Sequence, residues 1–162
     1  MPLAKIHFFK RRPLRYDGGM CGRYTLRTPA SELVEIFKLL REPDWTPRYN
    51  ISPTQSVAVI RQTVGGREMS PMHWGLIPAW AKDPKMGARM INARAETVAT
   101  KPSFRSAFRK RRCLIPADGF YEWKKVDAKA KQPYHITLRD SRAISSLRRH
   151  GLDRITVGCP PK

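Results

Sequence analysis

A chain of 162 residues has the length of one domain with a sizeable core, and two independent domains are not expected. Hydrophobic residues at 41%, with aromatics spread along the chain, exclude wholesale disorder; 32 Lys and Arg against 13 Asp and Glu give a net charge of +19 and make nucleic acid the leading partner class. No window approaches the ~18 consecutive apolar residues of a membrane span, so no membrane partner is expected.

Residues 1–19 carry Lys5, Lys10, Arg11, Arg12 and Arg15, and their apolar run, Ile6 to Phe9, is too short for an export signal. They read as a basic leader, either removed as a transit-type segment or not translated, with the true start at Met20. From Thr28 a helix is predicted, with Ser31 as N-cap, an apolar face of Leu33, Val34, Ile36, Phe37, Leu39 and Leu40, and an end before Pro43. Pro43, Pro47 and Pro53 then predict irregular loop. Residues 56–62 read as a strand closed by the Gly65–Gly66 turn, and 69–76 as its return. A loop rich in Pro, Trp and Lys runs on to Gly87. A short basic helix is predicted over 104–110, and strands over 112–116, 120–125 and 134–139. The stretch 141–162 has no aromatic residue and neither strand nor strong helix periodicity, and is expected to be poorly ordered. Short strands, hairpin turns and few helices predict an α+β, mainly antiparallel domain.

Cys21, Cys113 and Cys159 form no CxxC pair, which supports neither a disulfide scaffold nor structural zinc and fits a reducing, intracellular setting. No His has metal-ligand spacing, so no metal site is expected and none of His7, His73, His135 and His150 is assigned to one. Cys21 follows Met20 directly, and removal of that methionine would make it N-terminal. A free α-amine beside a thiol is a 1,2-aminothiol: both groups are partly nucleophilic near neutrality, and together they trap an aldehyde as a thiazolidine. The plainer alternative is an incidental or buried cysteine. Asn92, Arg94 and Glu96 alternate, so an extended backbone would put them on one face, as a site lining or as a solvated edge. Glu122 lies between Tyr121 and Trp123, where apolar surroundings would raise its pKa and suit it to proton transfer; alternatively it is an exposed strand position. Lys101, Arg105, Arg109, Lys110, Arg111 and Arg112 surround Phe104 and Phe108, as in a single-strand groove or a helix with a basic outer face and a Phe stripe inside.

The blocks Cys21 to Tyr24, Arg48 to Pro53, Trp74 to Trp80, Asn92 to Thr97 and Ala117 to Lys124, in that order, resemble the SOS response-associated peptidase (SRAP) family. The resemblance covers about Met20 to Arg139. It implies an α+β fold with a barrel-like, mainly antiparallel core and a few flanking helices, incomplete at the C-terminus, with residues 20–140 as the N-terminal part of the domain. It implies covalent capture of abasic sites in single-stranded DNA, with an associated thiol autopeptidase activity, in a monomer of the bacterial cytoplasm or nucleoid that uses no cofactor. Carried over, Cys21 is the nucleophile, Asn92 orients the cysteine or the opened sugar, and Glu122 is the acid/base. Arg23 and Arg94 contact phosphates, and Trp74, Trp80 and Trp123 offer stacking surfaces or a wedge for neighbouring bases, with at least one of the three expected in the core. Members of the family complete the site with a later histidine in a His-x-Arg-Met-Pro type motif. Here His150 is followed by Gly151 and Leu152, and takes no such role. The rival reading is an inactive or non-covalent single-strand-binding remnant of the family.

Overall fold

A computed structural model describes residues 22–128, 130–138, 144–145 and 157–158. The leader, Met20, Cys21 and most of the tail lie outside the described residues. The elements in chain order are β1 (Tyr24–Leu26), α1 (Ala30–Phe37), β2 (Arg48–Ile51), β3 (Ser56–Gln62), β4 (Arg67–Trp74), a 3-10 helix (Pro84–Arg89), α2 (Pro102–Lys110), β5 (Pro116–Ala117), β6 (Gly119–Lys125), β7 (Lys131–Thr137), β8 (Ile144–Ser145) and β9 (Val157–Gly158). The strands form a four-stranded sheet in the order β2-β1-β6-β7, a three-stranded sheet β3-β4-β9 and a pair β5-β8. Every strand pair is antiparallel. The α+β class with antiparallel sheets and few helices therefore holds, and the described strands form three sheets.

The β3–β4 hairpin anchors the core. Val57, Ala58, Val59 and Ile60 are all buried, the pattern of a strand covered on both faces. They join Leu33 and Phe37 of α1 and Tyr24, Leu26 and Ile51 of the four-stranded sheet in one cluster. The hairpin register runs from Ser56↔His73 to Gln62↔Arg67, so the returning strand begins two residues before the sequence expectation and ends at Trp74. Gly75 ends it in a left-handed conformation (φ 141°), its backbone so close to the Gly87 carbonyl that no Cβ would fit.

α1 is capped earlier than predicted. Pro29, with φ −59° and ψ 153°, is the N-cap, and its carbonyl accepts from the Leu33 amide at 3.1 Å; Ser31 lies inside the first turn, and no side chain caps the helix. Lys38 turns left-handed and stops the helix well before Pro43. The apolar pattern continued to Leu39 because that residue is buried from outside the helix, bridged to Arg67, whereas Leu40 is exposed. Two strands ahead of the hairpin went unread. β1 is three residues long, all buried, too short for periodicity. β2 lies in the stretch expected to be irregular, because Pro47 and Pro53 stand outside its ends, where proline removes no ladder hydrogen bond. β7 lies earlier than expected, exposed along its length. Within the tail, β8 pairs with β5 and β9 with β4; the rest of the stretch expected to be poorly ordered lies outside the described residues.

Candidate functional site

The start of β1 is where the elements carrying the expected catalytic residues meet. Beyond the paired Tyr24↔Phe120 and Thr25↔Gly119, the Tyr121 amide donates to the Arg23 carbonyl at 2.9 Å. The chain leading back to Cys21 thus starts out alongside Tyr121 and Glu122, although Cys21 itself lies outside the described residues. Glu122 is half-buried and in register with Tyr134 of β7. Asn92 comes in from a different direction. The Tyr24 ring packs against Trp74, with centroids 5.6 Å apart and planes tilted by 58°. The Trp74 indole N–H in turn donates to the Ile91 carbonyl at 2.9 Å, and the Leu76 amide to the Met90 carbonyl at 3.0 Å. β1 is therefore tied to the strand of Glu122 by a ladder and to the segment of half-buried Asn92 through Trp74.

Trp74 is itself fully buried, so it has no ring face to offer a base; as a stacking surface it is corrected to a core residue that fixes the Ile91–Asn92 backbone. Trp123 (37% exposed) and Trp80 (58%) keep accessible rings. Arg94 is exposed, but its segment is not extended: residues 95–100 are turns, with the amides of Thr97 and Val98 both donating to the Arg94 carbonyl. The expected row of Asn92, Arg94 and Glu96 on one strand face does not form. Arg23 is exposed, and its guanidinium donates to the Asn50 side-chain oxygen at 2.7 Å. The Tyr121 hydroxyl donates to the Tyr49 carbonyl at 3.0 Å.

Strand alternation sorts the sheet into two faces. Tyr24, Phe120, Glu122 and Tyr134 share one; Thr25, Tyr121, Trp123 and His135 share the other. On that second face the Tyr121 ring lies 6.5 Å from Trp123 and 4.8 Å from His135. Sequence reasoning left His135 without a role and overlooked Asn50, Tyr49 and Tyr121; only the strand pairing brings these residues together.

Asp118 was overlooked too, and it is the most heavily bonded side chain near the site. Buried between β5 and β6, its carboxylate accepts from the Thr25 hydroxyl (2.6 Å), the Arg27 amide, the Thr28 amide (2.9 Å), the Thr28 hydroxyl (3.1 Å) and the Arg27 guanidinium (3.3 Å). Burial alone would push its pKa up, but the hydrogen bonds from Thr25, the Arg27 and Thr28 amides and the Arg27 side chain outweigh it and hold the carboxyl below its ordinary value. Because the Thr25 proton goes to an ionised carboxylate, the Thr25 oxygen is left to accept from His135 Nε2, 3.2 Å away, which assigns the proton to Nε2. Gly119 makes room for this chain. A Cβ there would sit 2.5 Å from His135 Nε2 and 2.9 Å from the Thr25 oxygen. The sequence signal was the Asp118–Gly119 pair ahead of a strand, which reads as an ordinary turn.

Among the described residues, no cluster of three or more His, Cys, Asp or Glu could hold a metal ion, and no helix is long and apolar enough to cross a membrane. Residues 20–147 match the family model described as SOS response associated peptidase (SRAP). Abasic site processing protein YoqW of Bacillus subtilis (strain 168) is 46% identical over 125 residues, covering 75% of this chain and 56% of that protein. Abasic site processing protein HMCES of Rattus norvegicus is 34% identical over 161 residues, covering 84% of this chain and 46% of the relative. The crystal structure of a protein from Bacteroides thetaiotaomicron, 25% identical, matches with a TM-score of 0.66 over 77% of this chain and 57% of that one. The chain thus spans about half the length of the curated relatives it matches.

Proposed function

The chain belongs to the SOS response-associated peptidase family, and from that membership we propose that it captures abasic sites in single-stranded DNA covalently through an N-terminal Cys21. The opened abasic sugar presents an aldehyde. The Cys21 amine adds to its carbon, and the carbinolamine loses water to give a Schiff base, a loss that Glu122 assists by protonating the departing hydroxyl. The Cys21 thiolate then adds to the same carbon while the nitrogen takes up a proton, closing the thiazolidine ring. Asn92 orients the sugar or the cysteine. Arg23 and Arg94, both exposed, take the flanking phosphates, and the accessible ring of Trp123 takes a neighbouring base. This chemistry requires a free amine on Cys21, so the mature N-terminus is Cys21, and either autopeptidase processing or translation from Met20 followed by removal of that methionine supplies it. Residues 20–140 then form the N-terminal part of a barrel-like family domain.

The observation that carries this reading is the convergence of the Glu122 strand and the Asn92 segment on the start of β1, one through the Tyr121–Arg23 hydrogen bond and the other through Trp74. The test is incubation with a single-stranded oligonucleotide holding one abasic site, followed by a denaturing gel and intact-mass analysis. A heat-stable shifted band that disappears in Cys21→Ala, on protein whose N-terminal residue is Cys21, is the expected result. Full crosslinking by protein that retains Met1 as its only N-terminus would overturn the reading. A second reading, non-covalent single-strand binding, is favoured by the +19 charge, which acts independently of Cys21. It predicts binding that vanishes on denaturation.

A further inference from the structure

The basic residues of α2 have not been given a task by the site, and the helix is placed where they could have one. Its inner face, Phe104 and Ala107, is buried in a small cluster with Leu76 and Ala93, against which Met90 and Val98 pack. Ala93 separates Asn92 from Arg94, so α2 is docked directly on the segment that carries both. From Arg94 the backbone passes through one turn region, in which the Lys101 amide donates to the Thr97 carbonyl, into the helix. Lys101, Arg105 and Arg109 follow at four-residue spacing, about 6 Å of axis apart, and all three are exposed. Phe108, 42% exposed, follows the buried Phe104 by one turn and borders the buried face, within one turn of Arg105.

Helix stability does not explain this arrangement. Cations at the C-terminal end, Arg109 and Lys110, complement the helix dipole, but Lys101 and Arg105 stand at the opposite end, where acidic residues are favoured and none occurs. Like charges four residues apart also repel. No acidic residue lies between Glu96 and Asp118, and among the described residues none of Lys101, Arg105 and Arg109 is in an ion pair. The helix is held by its apolar face and keeps a positive field outside. A membrane surface fits poorly, because an interfacial helix inserts its apolar face in the bilayer and that of α2 is already spent on the core. A nucleic-acid strand fits: phosphates answer the row of cations, and a base can stack on Phe108.

We propose that the outer face of α2, with Lys101, Arg105 and Arg109 as phosphate contacts and Phe108 at its border as a stacking surface, carries the DNA strand onward from the site where Arg94 stands. The assignment rests on the reading of this chain as a DNA-binding protein. It makes α2 an extension of the binding track, so that affinity depends on strand length beyond the lesion.

The experiment compares the wild-type chain with R105Q/R109Q, with the conservative R105K/R109K, and with the charge-matched control K38Q/R41Q near the end of α1. Binding of lesion-free oligothymidylates, one long and one a trinucleotide, is followed by fluorescence anisotropy across a salt series. Circular dichroism spectra verify that α2 is intact. For the long strand, R105Q/R109Q should lower the slope of log affinity against log salt by about 1.4, at about 0.7 per phosphate neutralised on a single strand. R105K/R109K should keep the wild-type slope, K38Q/R41Q should leave it unchanged, and the trinucleotide should bind all variants alike. An unchanged slope in R105Q/R109Q, or an equal loss in the control pair or on the trinucleotide, would overturn the proposal. Transfer of the effect to anionic vesicles, with the DNA slope intact, would overturn it in favour of a lipid surface. A wild-type chain that binds neither oligonucleotide defeats the functional reading itself, whereas normal wild-type binding with an unaltered variant defeats this inference alone.

Discussion

The β3–β4 hairpin and the β1–β6 pair are both antiparallel, yet they are held by opposite kinds of force. The hairpin has a continuous ladder from Ser56↔His73 to Gln62↔Arg67 and buries Val57 through Ile60, so many small apolar contributions hold it. β1 pairs with β6 at Tyr24 and Thr25, a short ladder extended by the Tyr121–Arg23 hydrogen bond, and a single buried carboxylate, Asp118, gathers the hydroxyls of Thr25 and Thr28, two backbone amides and a guanidinium around the junction. Apolar burial is divisible, and losing one methyl costs its share. A polar network is not divisible in that way, because removing its hub leaves every donor desolvated and unpaired. The strand that leads to Cys21 is therefore the one fixed by the concentrated interaction.

The sharpest way to break this contrast is to remove each region's central residue. Asp118→Ala should cost about 3–5 kcal/mol, since the Thr25 hydroxyl and the Arg27 and Thr28 amides lose their acceptor in a buried setting. Ile60→Val, which trims one methylene from the fully packed hairpin, should cost only about 0.5–1.5 kcal/mol. Urea midpoints at constant m-value measure both. Equal losses would show that the carboxylate is no hub.

The same contrast explains what could be read from the sequence. The hairpin strand announced itself as Ser56 to Gln62, an apolar run closed by Gly65 and Gly66, and its position was right to the residue. Cys21, Asn92 and Glu122 were proposed from spaced motifs resembling a family, not from periodicity. Asp118, Thr25 and His135 stand far apart in the chain and share no local pattern, so only the β1–β6–β7 pairing makes them neighbours. β1 was missed for a related reason: three buried residues give no period to detect, and their strand character comes from Ile51 and Phe120 on either side. Trp74 was misplaced because a tryptophan's sequence neighbours do not reveal whether its ring faces base or core.

A smaller effect tests whether the junction is packed as tightly as it is bonded. Gly119→Ala would put a Cβ against the His135 ring nitrogen and the Thr25 hydroxyl, and should cost about 1–3 kcal/mol through overpacking. Its signature is separable from a general loss of stability. The amide resonances of Thr25 and the His135 ring should shift by NMR, while those of Val57 to Ile60 in the hairpin stay in place. Shifts spread evenly over both sheets would mean that the two regions are not distinct mechanical units.

The smallest expected effect lies in the pH dependence of stability, and its two limbs belong to the two ways in which β1 is attached. Asp118 has a folded-state pKa below its ordinary 3.8, so its contribution is fully present above that value and is lost as pH falls through the lower, folded one. Tyr24 behaves in the opposite sense. Burial against Trp74 and the core raises its phenol well above the ordinary 10.0, with Arg48 opposing that shift, so the neutral form is favoured in the folded state. Its contribution is present below pH 10 and is lost as pH rises further, when the unfolded chain ionises and the folded one resists. Thermal melts across the acid and alkaline ranges should therefore be repaired selectively. Asp118→Asn, less stable at neutrality, should lose stability less steeply below pH 4. Tyr24→Phe removes a buried hydroxyl that has no hydrogen-bond partner among the described residues; it should be nearly neutral at pH 7 and flatten the alkaline limb alone. If Tyr24→Phe flattened the acid limb instead, the carboxylate junction and the aromatic packing would be one coupled unit, and the contrast between polar and apolar attachment of β1 would fail.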